Sequence, residues 1–344
     1  MNYYSFLIIV IIFSILYLFL SRFSLLKEDI NYSKHKNIGK NNKRPIILGG
    51  IYFLIITLIF ITNFSVILKG IIISITVLGI LSDKNILPNP RIRLLIQTFL
   101  IFCLVLSEGL FISDLKIEFL NSLLSYQLFN LFFLVFCLAI LINGSNFIDG
   151  LNGLLSGYYL IVLMSLFFLD YYNDGIILTD KIFLKIIFYS LFLFFIFNLM
   201  GYVYLGDSGS YLISLLIGIY LINFYSVNPN YSSPYYVASL LWYPAFENFY
   251  SLFRRILIKQ NLSTPDNQHL HQLFFLFIKS KKYFSNKNPN TISGIFIVLI
   301  NIPSMVISSL YAGNTKLLVV IILLNILLYC FFYYILSEKI LGKK

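Results

Sequence analysis

Residues 127–153 read QLFNLFFLVFCLAILINGSNFIDGLNG. The first part of this stretch, 127–143, carries no charge and has roughly the length that crosses the hydrocarbon core of a bilayer as a helix. Polar side chains then recur at every third position, at Asn143, Asn146, Asp149 and Asn152. On a continuing helix this spacing places all four on nearly one face. The stretch therefore predicts a transmembrane helix that ends in a polar cluster at the membrane surface.

The rest of the chain has the same apolar character. Of its 344 residues, 59% are hydrophobic and 11% are charged, and the mean hydropathy is +0.87. This composition excludes a soluble globular protein, because soluble domains carry roughly 25% charged residues. We predict an all-α integral membrane protein with about eleven transmembrane helices in a lipid bilayer. The predicted spans are 3–20, 46–62, 65–81, 92–108, 127–143, 152–170, 182–199, 204–225, 235–256, 293–312 and 316–336.

Basic residues fix the expected orientation of these spans. With the N-terminus outside, 20 of the 25 Lys and Arg residues fall in segments on the inside. Because basic residues concentrate in cytoplasmic loops, we predict an outside N-terminus and a cytoplasmic C-terminus. The net charge of +11 then reflects loop orientation, and no nucleic-acid partner is expected. Residues 1–344 are predicted to form a single polytopic domain, with 257–292 as its long cytoplasmic loop.

Orderly polar clusters fall on the predicted cytoplasmic side, and they combine oxygen ligands suited to Mg²⁺ with cations suited to phosphates. Polar residues at the ends of membrane helices are candidates for function, since placing them near hydrocarbon is costly. The clusters comprise Lys43 in the first loop, Asp83 with Arg93 and Gln97 after the third span, Asn143 to Asn152 after the fifth, Asp207 with Ser208 and Ser210 at the start of the eighth, and Arg254, Arg255, Asp266, His269 and His271 in the long loop.

Each cluster taken alone has a structural alternative. Asp83 could cap a helix or pair with Arg91 or Arg93, and Asp207 could be an N-terminal cap. The asparagine ladder could hold helices together, and Arg254 with Arg255 could be cytoplasmic anchors. These alternatives do not explain why all of the clusters fall on one side of the membrane.

Taken together, these motifs give the chain a family resemblance. From about Lys43 to His271 the sequence resembles the polyprenyl-phosphate N-acetylhexosamine-1-phosphate transferases (glycosyltransferase family 4). That family includes phospho-N-acetylmuramoyl-pentapeptide transferase and the initiating N-acetylglucosamine-1-phosphate transferases. Its aspartate-rich segment is matched by Asp83 with Arg93 and Gln97, its NxxNxxDGxDG segment by Asn143, Asn146, Asp149 and Gly150, its GDxGS segment by Gly206, Asp207, Gly209 and Ser210, and its histidine loop by His269-Leu270-His271.

The chain departs from the family pattern at two positions. The family usually has adjacent aspartates where this chain has Ser82-Asp83, and a second aspartate where it has Asn152. These changes remove two carboxylates near the expected cation. Mg²⁺ commonly needs only one or two protein carboxylates, so we expect an active enzyme. Two alternatives remain. One is a catalytically impaired family member that acts as a membrane scaffold, and the other is a lipid or solute transporter.

The resemblance implies transfer of a sugar-1-phosphate, expected to be N-acetylhexosamine-1-phosphate, from a UDP-sugar to undecaprenyl phosphate, with release of UMP. The product would initiate a cell-surface glycan, such as cell wall or lipopolysaccharide, at the cytoplasmic face of the bacterial inner membrane. The implied cofactor is Mg²⁺, with Mn²⁺ as the alternative, and a homodimer is left open. The implied roles are catalysis for Asp83 and Asp149, metal binding for Asp207, and substrate binding for Asn146, Asn152, Asn198, His269, His271, Arg254, Arg255 and Lys43.

Overall fold

A computed structural model describes residues 3–23, 26, 45–60, 64–259, 266, 268–281 and 288–342. Apart from two short strands, its regular structure is helical. The elements are α1 (Tyr3–Arg22), β1 (Ile46–Ile47), α2 (Gly49–Phe60), α3 (Val66–Asp83), α4 (Pro90–Ser107), α5 (Glu118–Leu124), α6 (Gln127–Ile148), α7 (Leu154–Tyr172), α8 (Lys181–Leu199), β2 (Val203–Tyr204), α9 (Gly206–Val227), α10 (Pro234–Leu240), α11 (Trp242–Leu257), α12 (Leu270–Ser280), α13 (Pro289–Leu310) and α14 (Thr315–Leu341).

The helices confirm an all-α integral membrane protein. Within the described ranges, nine helices reach 18 residues and are apolar enough to cross a bilayer. The two other predicted spans form shorter helices. The run 46–62 gives the 12-residue α2, and the run 235–256 is divided into α10 and α11.

The division of the run 235–256 comes from Pro244. Proline has no N–H to donate to the carbonyl four residues earlier, and its ring clashes with that carbonyl in a continuous helix. The carbonyl of Leu240 instead accepts a hydrogen bond of 2.7 Å from the hydroxyl of Tyr158 on α7. The break is therefore satisfied internally, as backbone polar groups in a membrane protein must be.

Helix α9 lies at the centre of the bundle. In its most apolar 18-residue window, 83% of the residues are buried, compared with 17% in the corresponding window of α1. Helix α9 packs against α2, α3 and α6. At Gly79 on α3, an added Cβ would lie 2.2 Å from the Cα of Ser208. Glycine at this position allows α3 to cross directly against the start of α9.

The backbone is redirected at two places near the polar ends of the helices. Strands β1 and β2 pair in parallel, and Gly206 follows with φ +69°, a left-handed conformation suited to glycine. Helix α6 ends at Ile148, Asp149 caps it, and Gly153 has φ +77°. The prediction that the asparagine ladder continues on one helix face is therefore wrong beyond residue 148, because a glycine-containing turn replaces the helix.

Candidate active site

The predicted polar segments meet at one end of the bundle. This polar end collects the C-terminal ends of α3, α6, α8 and α11 and the N-terminal ends of α4, α7, α9, α12 and α13. Asp207 lies at the start of a helix and Asp83 at the end of one, which confirms both predicted locations. Lys43 lies outside the described residues.

Asp83 caps the N-terminus of α9, a helix more than a hundred residues away in sequence. Its Oδ1 accepts from the backbone N–H of Asp207 at 2.7 Å. Its Oδ2 accepts from the N–H and the hydroxyl of Ser208, at 3.1 and 2.8 Å. A carboxylate at this position satisfies free N–H groups and complements the helix dipole. Gly206 leaves room for it, since a Cβ there would lie 2.8 Å from both Asp83 oxygens.

Asp207 lies in the first turn of α9, and its carboxylate is fully engaged by side chains. Its Oδ1 accepts from the amide of Asn146 at 2.8 Å. Its Oδ2 accepts from Arg93 Nη1 at 2.9 Å and from the hydroxyl of Ser82. Ser82 also accepts a hydrogen bond from Arg93, so the three side chains form one cluster. The Asp207 side chain is 21% exposed, so the cluster is accessible from solvent.

A small cleft opens beside this cluster, where the loop after α6 faces the start of α13. The backbone N–H of Asn152 donates to Asn290 Oδ1 at 2.6 Å. Asn198 holds the same loop from the other side: its Oδ1 accepts from the N–H of Gly153 at 2.7 Å, and its amide donates to the carbonyl of Val203 at 2.8 Å. The cleft is lined by Asp149, Gly150, Leu151, Asn152, Asn198, Tyr204 and Asn290.

The two loop histidines are buried against α11 and the loop after α6. His269 Nδ1 donates to Glu247 Oε1 at 2.9 Å, and both side chains are at most 5% exposed. The ring of His271 stacks on that of His269 with centroids 5.5 Å apart. His271 also lies against Gly150, where a Cβ would be 2.6 Å from its Nε2. This contact joins the histidine pair to the cleft.

Arg254 connects the histidine pair to the end of α11. Its guanidinium donates to Asp266 and to Gln268, and Asp266 Oδ2 also lies 3.7 Å from His269 Nε2. Burial raises the pKa of the Asp266 carboxyl, but His269, the hydroxyl of Ser251 and Arg254 outweigh it and hold that pKa below its usual value. Asp266 is therefore ionised at neutral pH, and His269 has a carboxylate near each of its ring nitrogens. Arg255 is 5% exposed on the same helix.

The donor set at the polar end is small for a cation site. In the part of the chain that the structure describes, no group of three or more His, Cys, Asp or Glu side chains converges. Asp83 is committed to the N-terminus of α9, which leaves the Asp207 carboxylate with the hydroxyl of Ser82 at the start of α9, while Asp149 lies in the adjoining cleft. Because Mg²⁺ commonly takes one or two protein carboxylates plus phosphate oxygens and water, these residues fit a divalent cation that receives most of its ligands from a substrate.

Two contributors to the site were not predicted from the sequence. Asn290 was missed, and its only signal is an asparagine after Pro289 at the start of an apolar helix. Glu247 stands out as a carboxylate inside an apolar run, but nothing local to it identifies His269 as its partner.

The chain is similar to known glycosyl transferases. The model of glycosyl transferase family 4 matches residues 64–225. The chain is 31% identical over 210 residues to a Bacillus subtilis protein named as a probable undecaprenyl-phosphate N-acetylglucosaminyl 1-phosphate transferase, covering 59% of this chain and 56% of that protein. It is 27% identical over 154 residues to the undecaprenyl-phosphate alpha-N-acetylglucosaminyl 1-phosphate transferase of Thermotoga maritima, covering 44% and 45%.

These first two matches span about half the length of each relative. A longer match is to the phospho-N-acetylmuramoyl-pentapeptide-transferase of Dictyoglomus turgidum, 31% identical over 230 residues, covering 59% of this chain and 70% of that protein. The family model covers α3 to α8 and all but the last two residues of α9, a range that includes the Asp83, Asp149 and Asp207 segments of the polar end. From this similarity and the matching motifs, the chain belongs to glycosyl transferase family 4.

Proposed function

We propose that this protein transfers a sugar-1-phosphate, expected to be N-acetylglucosamine-1-phosphate, from a UDP-sugar to undecaprenyl phosphate. The observation that carries the proposal is the meeting of Asp83, Arg93, Asn146 and Asp207 at the start of α9, from three segments distant in sequence. The names of the Bacillus and Thermotoga relatives support both the acceptor and the transferred group.

The reaction joins two anionic phosphates. An oxygen of the lipid phosphate attacks the β-phosphorus of the UDP-sugar, the bond from that phosphorus to the bridging oxygen breaks, and the electron pair leaves with UMP. A phosphate monoester has a second pKa of about 6, so the nucleophile is mostly dianionic at neutral pH. Neutralising and aligning the two phosphates is therefore the main task of the protein.

At the start of α9, Arg93 supplies a cation for the phosphates and Asp207 supplies a carboxylate for Mg²⁺, with Mn²⁺ as the alternative. A cation held there would supply electrostatic stabilisation of charge on the diphosphate and the leaving UMP. Asp83 fixes the first turn of α9 and so positions Asp207. A role of Asp83 as proton acceptor for the lipid phosphate remains a prediction.

The cleft beside the cluster is proposed to bind the nucleotide. Asn152 and Asn290 present amide groups there, and an amide can donate to or accept from a uracil base. His269, His271, Arg254 and Arg255 are proposed to hold the diphosphate or the sugar. Glu247 acts through His269: it fixes the ring orientation and leaves Nδ1 as a donor.

The polyprenyl tail is proposed to lie in the bilayer against α4, α6 and α11. These helices carry exposed apolar side chains close to the polar end, and the rings of Phe136 and Phe249 lie 6.2 Å apart. Leu95 and Phe99 on α4 are 70% and 64% exposed. The excess of basic residues in alternate loops supports a cytoplasmic location of the site in a bacterial inner membrane.

UMP release tests the proposal directly. The purified full-length protein in detergent is incubated with undecaprenyl phosphate, Mg²⁺ and a panel of UDP-N-acetylhexosamines, with Asp207→Asn in parallel. We expect release that requires lipid and Mg²⁺, with one preferred sugar, and a loss of at least about 100-fold in the variant. Folded protein that releases no UMP with any sugar would contradict the proposal and favour the scaffold alternative. The transferase names of the relatives argue against a transporter.

A further inference from the structure

The departure at Ser82 changes how the Asp207 carboxylate is occupied. Ser82 is 5% exposed, and its hydroxyl contacts both Asp207 Oδ2 and Arg93. Arg93 in turn lies 2.9 Å from the same carboxylate oxygen. No carboxylate at position 82 competes with Asp207 for the guanidinium, so Arg93 pairs with Asp207 itself.

The Asp207 carboxylate already has a partner of opposite charge. Its Oδ2 lies 2.9 Å from Arg93 Nη1, so this pair contributes one charge of each sign. The carboxyl oxygens of Asp83 already accept three hydrogen bonds from the start of α9. A divalent cation that approaches Asp207 therefore meets a carboxylate that already has a cationic partner, and binding must displace that partner or share the oxygen with it.

Resting on the proposed function, we infer that the divalent cation and the nucleoside diphosphate bind cooperatively, with Arg93 as the group that couples them. A guanidinium pairs bidentately with phosphate oxygens, so a diphosphate draws Arg93 away from Asp207. The released Asp207 oxygen then becomes available to the cation, and the phosphates supply its remaining oxygen ligands. Without the diphosphate, the chain binds the cation weakly.

Cooperativity of this kind is reciprocal. If the diphosphate raises the affinity for the cation by a given factor, the cation raises the affinity for the diphosphate by the same factor. We expect a factor of about tenfold or more, within the roughly 5- to 150-fold range of coupled sites.

The test measures binding of Mn²⁺ to the full-length protein in detergent, from the loss of the free-ion electron paramagnetic resonance signal, with and without UDP. A protein-free titration corrects for Mn²⁺ bound to UDP in solution. We expect UDP to raise the Mn²⁺ affinity by about tenfold or more. Arg93→Gln should raise the affinity measured without UDP by a similar factor and reduce the gain from UDP. Arg91→Gln, an exposed arginine on the same helix, is the matched control for loss of charge.

Ser82→Asp keeps the test decisive if Arg93→Gln does not fold. It adds a carboxylate beside Arg93 and should raise the Mn²⁺ affinity without UDP. The inference would be overturned if the wild type bound Mn²⁺ with the same affinity with and without UDP. It would also be overturned if folded Arg93→Gln or Ser82→Asp bound Mn²⁺ more weakly than the wild type in the absence of UDP. UMP release by the same wild-type preparation separates the two ideas: transfer without coupling refutes only the cooperativity, and coupling without transfer to undecaprenyl phosphate refutes only the proposed function.

Discussion

Glu247→Gln offers a specific test of the histidine site. The substitution keeps the size of the side chain and replaces the carboxylate that accepts from His269 Nδ1 at 2.9 Å. Because both side chains are at most 5% exposed, water cannot compensate for the lost charge on the acceptor. We expect the neutral amide to hold the His269 ring less firmly than the carboxylate does.

The size of the effect follows from the type of bond. A hydrogen bond to a charged group contributes about 1.5–3 kcal/mol, which corresponds to a change of about 10- to 150-fold in an equilibrium or rate constant. If His269 binds the diphosphate or sugar, kcat/KM for the UDP-sugar should fall by this factor. Glu338→Gln makes the same change at an exposed residue on α14 and should leave kcat/KM within about twofold of the wild type.

The assay is UMP release at saturating undecaprenyl phosphate, with kcat and KM for the UDP-sugar determined separately. Thermal unfolding of each variant in detergent controls for loss of the fold. A double-mutant cycle with His269→Ala then distinguishes positioning from a general structural role. If Glu247 acts through His269, Glu247→Gln should cause little further loss in the His269→Ala background. A folded Glu247→Gln protein with wild-type kcat/KM, or fully additive losses in the cycle, would refute the reasoning.

Three further predictions concern the start of α9 and the cleft. Asp207→Asn should lower kcat by at least about 100-fold while the protein elutes as the wild type does, and an unchanged rate would remove Asp207 from the cation site. Gly79→Ala should lower the unfolding temperature, since its Cβ would lie 2.2 Å from the Cα of Ser208. The control Gly70→Ala should not, because an added Cβ there has nothing within 4 Å. Equal unfolding temperatures for the two variants would contradict the close helix crossing. Asn290→Ala removes the acceptor for a loop N–H and should raise KM for the UDP-sugar by about tenfold, whereas an unchanged KM would place the nucleotide elsewhere.

The membrane class of the protein and several ends of its helices could be read from the sequence. Apolar runs of sufficient length specify spans by a local property, because each turn of a membrane helix must present apolar side chains to lipid. For the same reason the locations of Asp83 at a helix end and Asp207 at a helix start were predictable. The end of α6 was not, since the spacing of polar residues at 143, 146, 149 and 152 fits a continuing helix as well as the glycine-containing turn that replaces it.

The fold class, the apolar segments and the residue types available for phosphate chemistry therefore follow from local patterns in the chain. The partners of these residues do not. Asp83 pairs with the N-terminus of α9, Arg93 with Asp207, Glu247 with His269, and Asn290 with the loop after α6. Each of these pairings joins segments that are brought together by helix packing. Such contacts depend on side-chain shape along whole helices, including the close crossing at Gly79, and leave no periodic signal in the residues that make them.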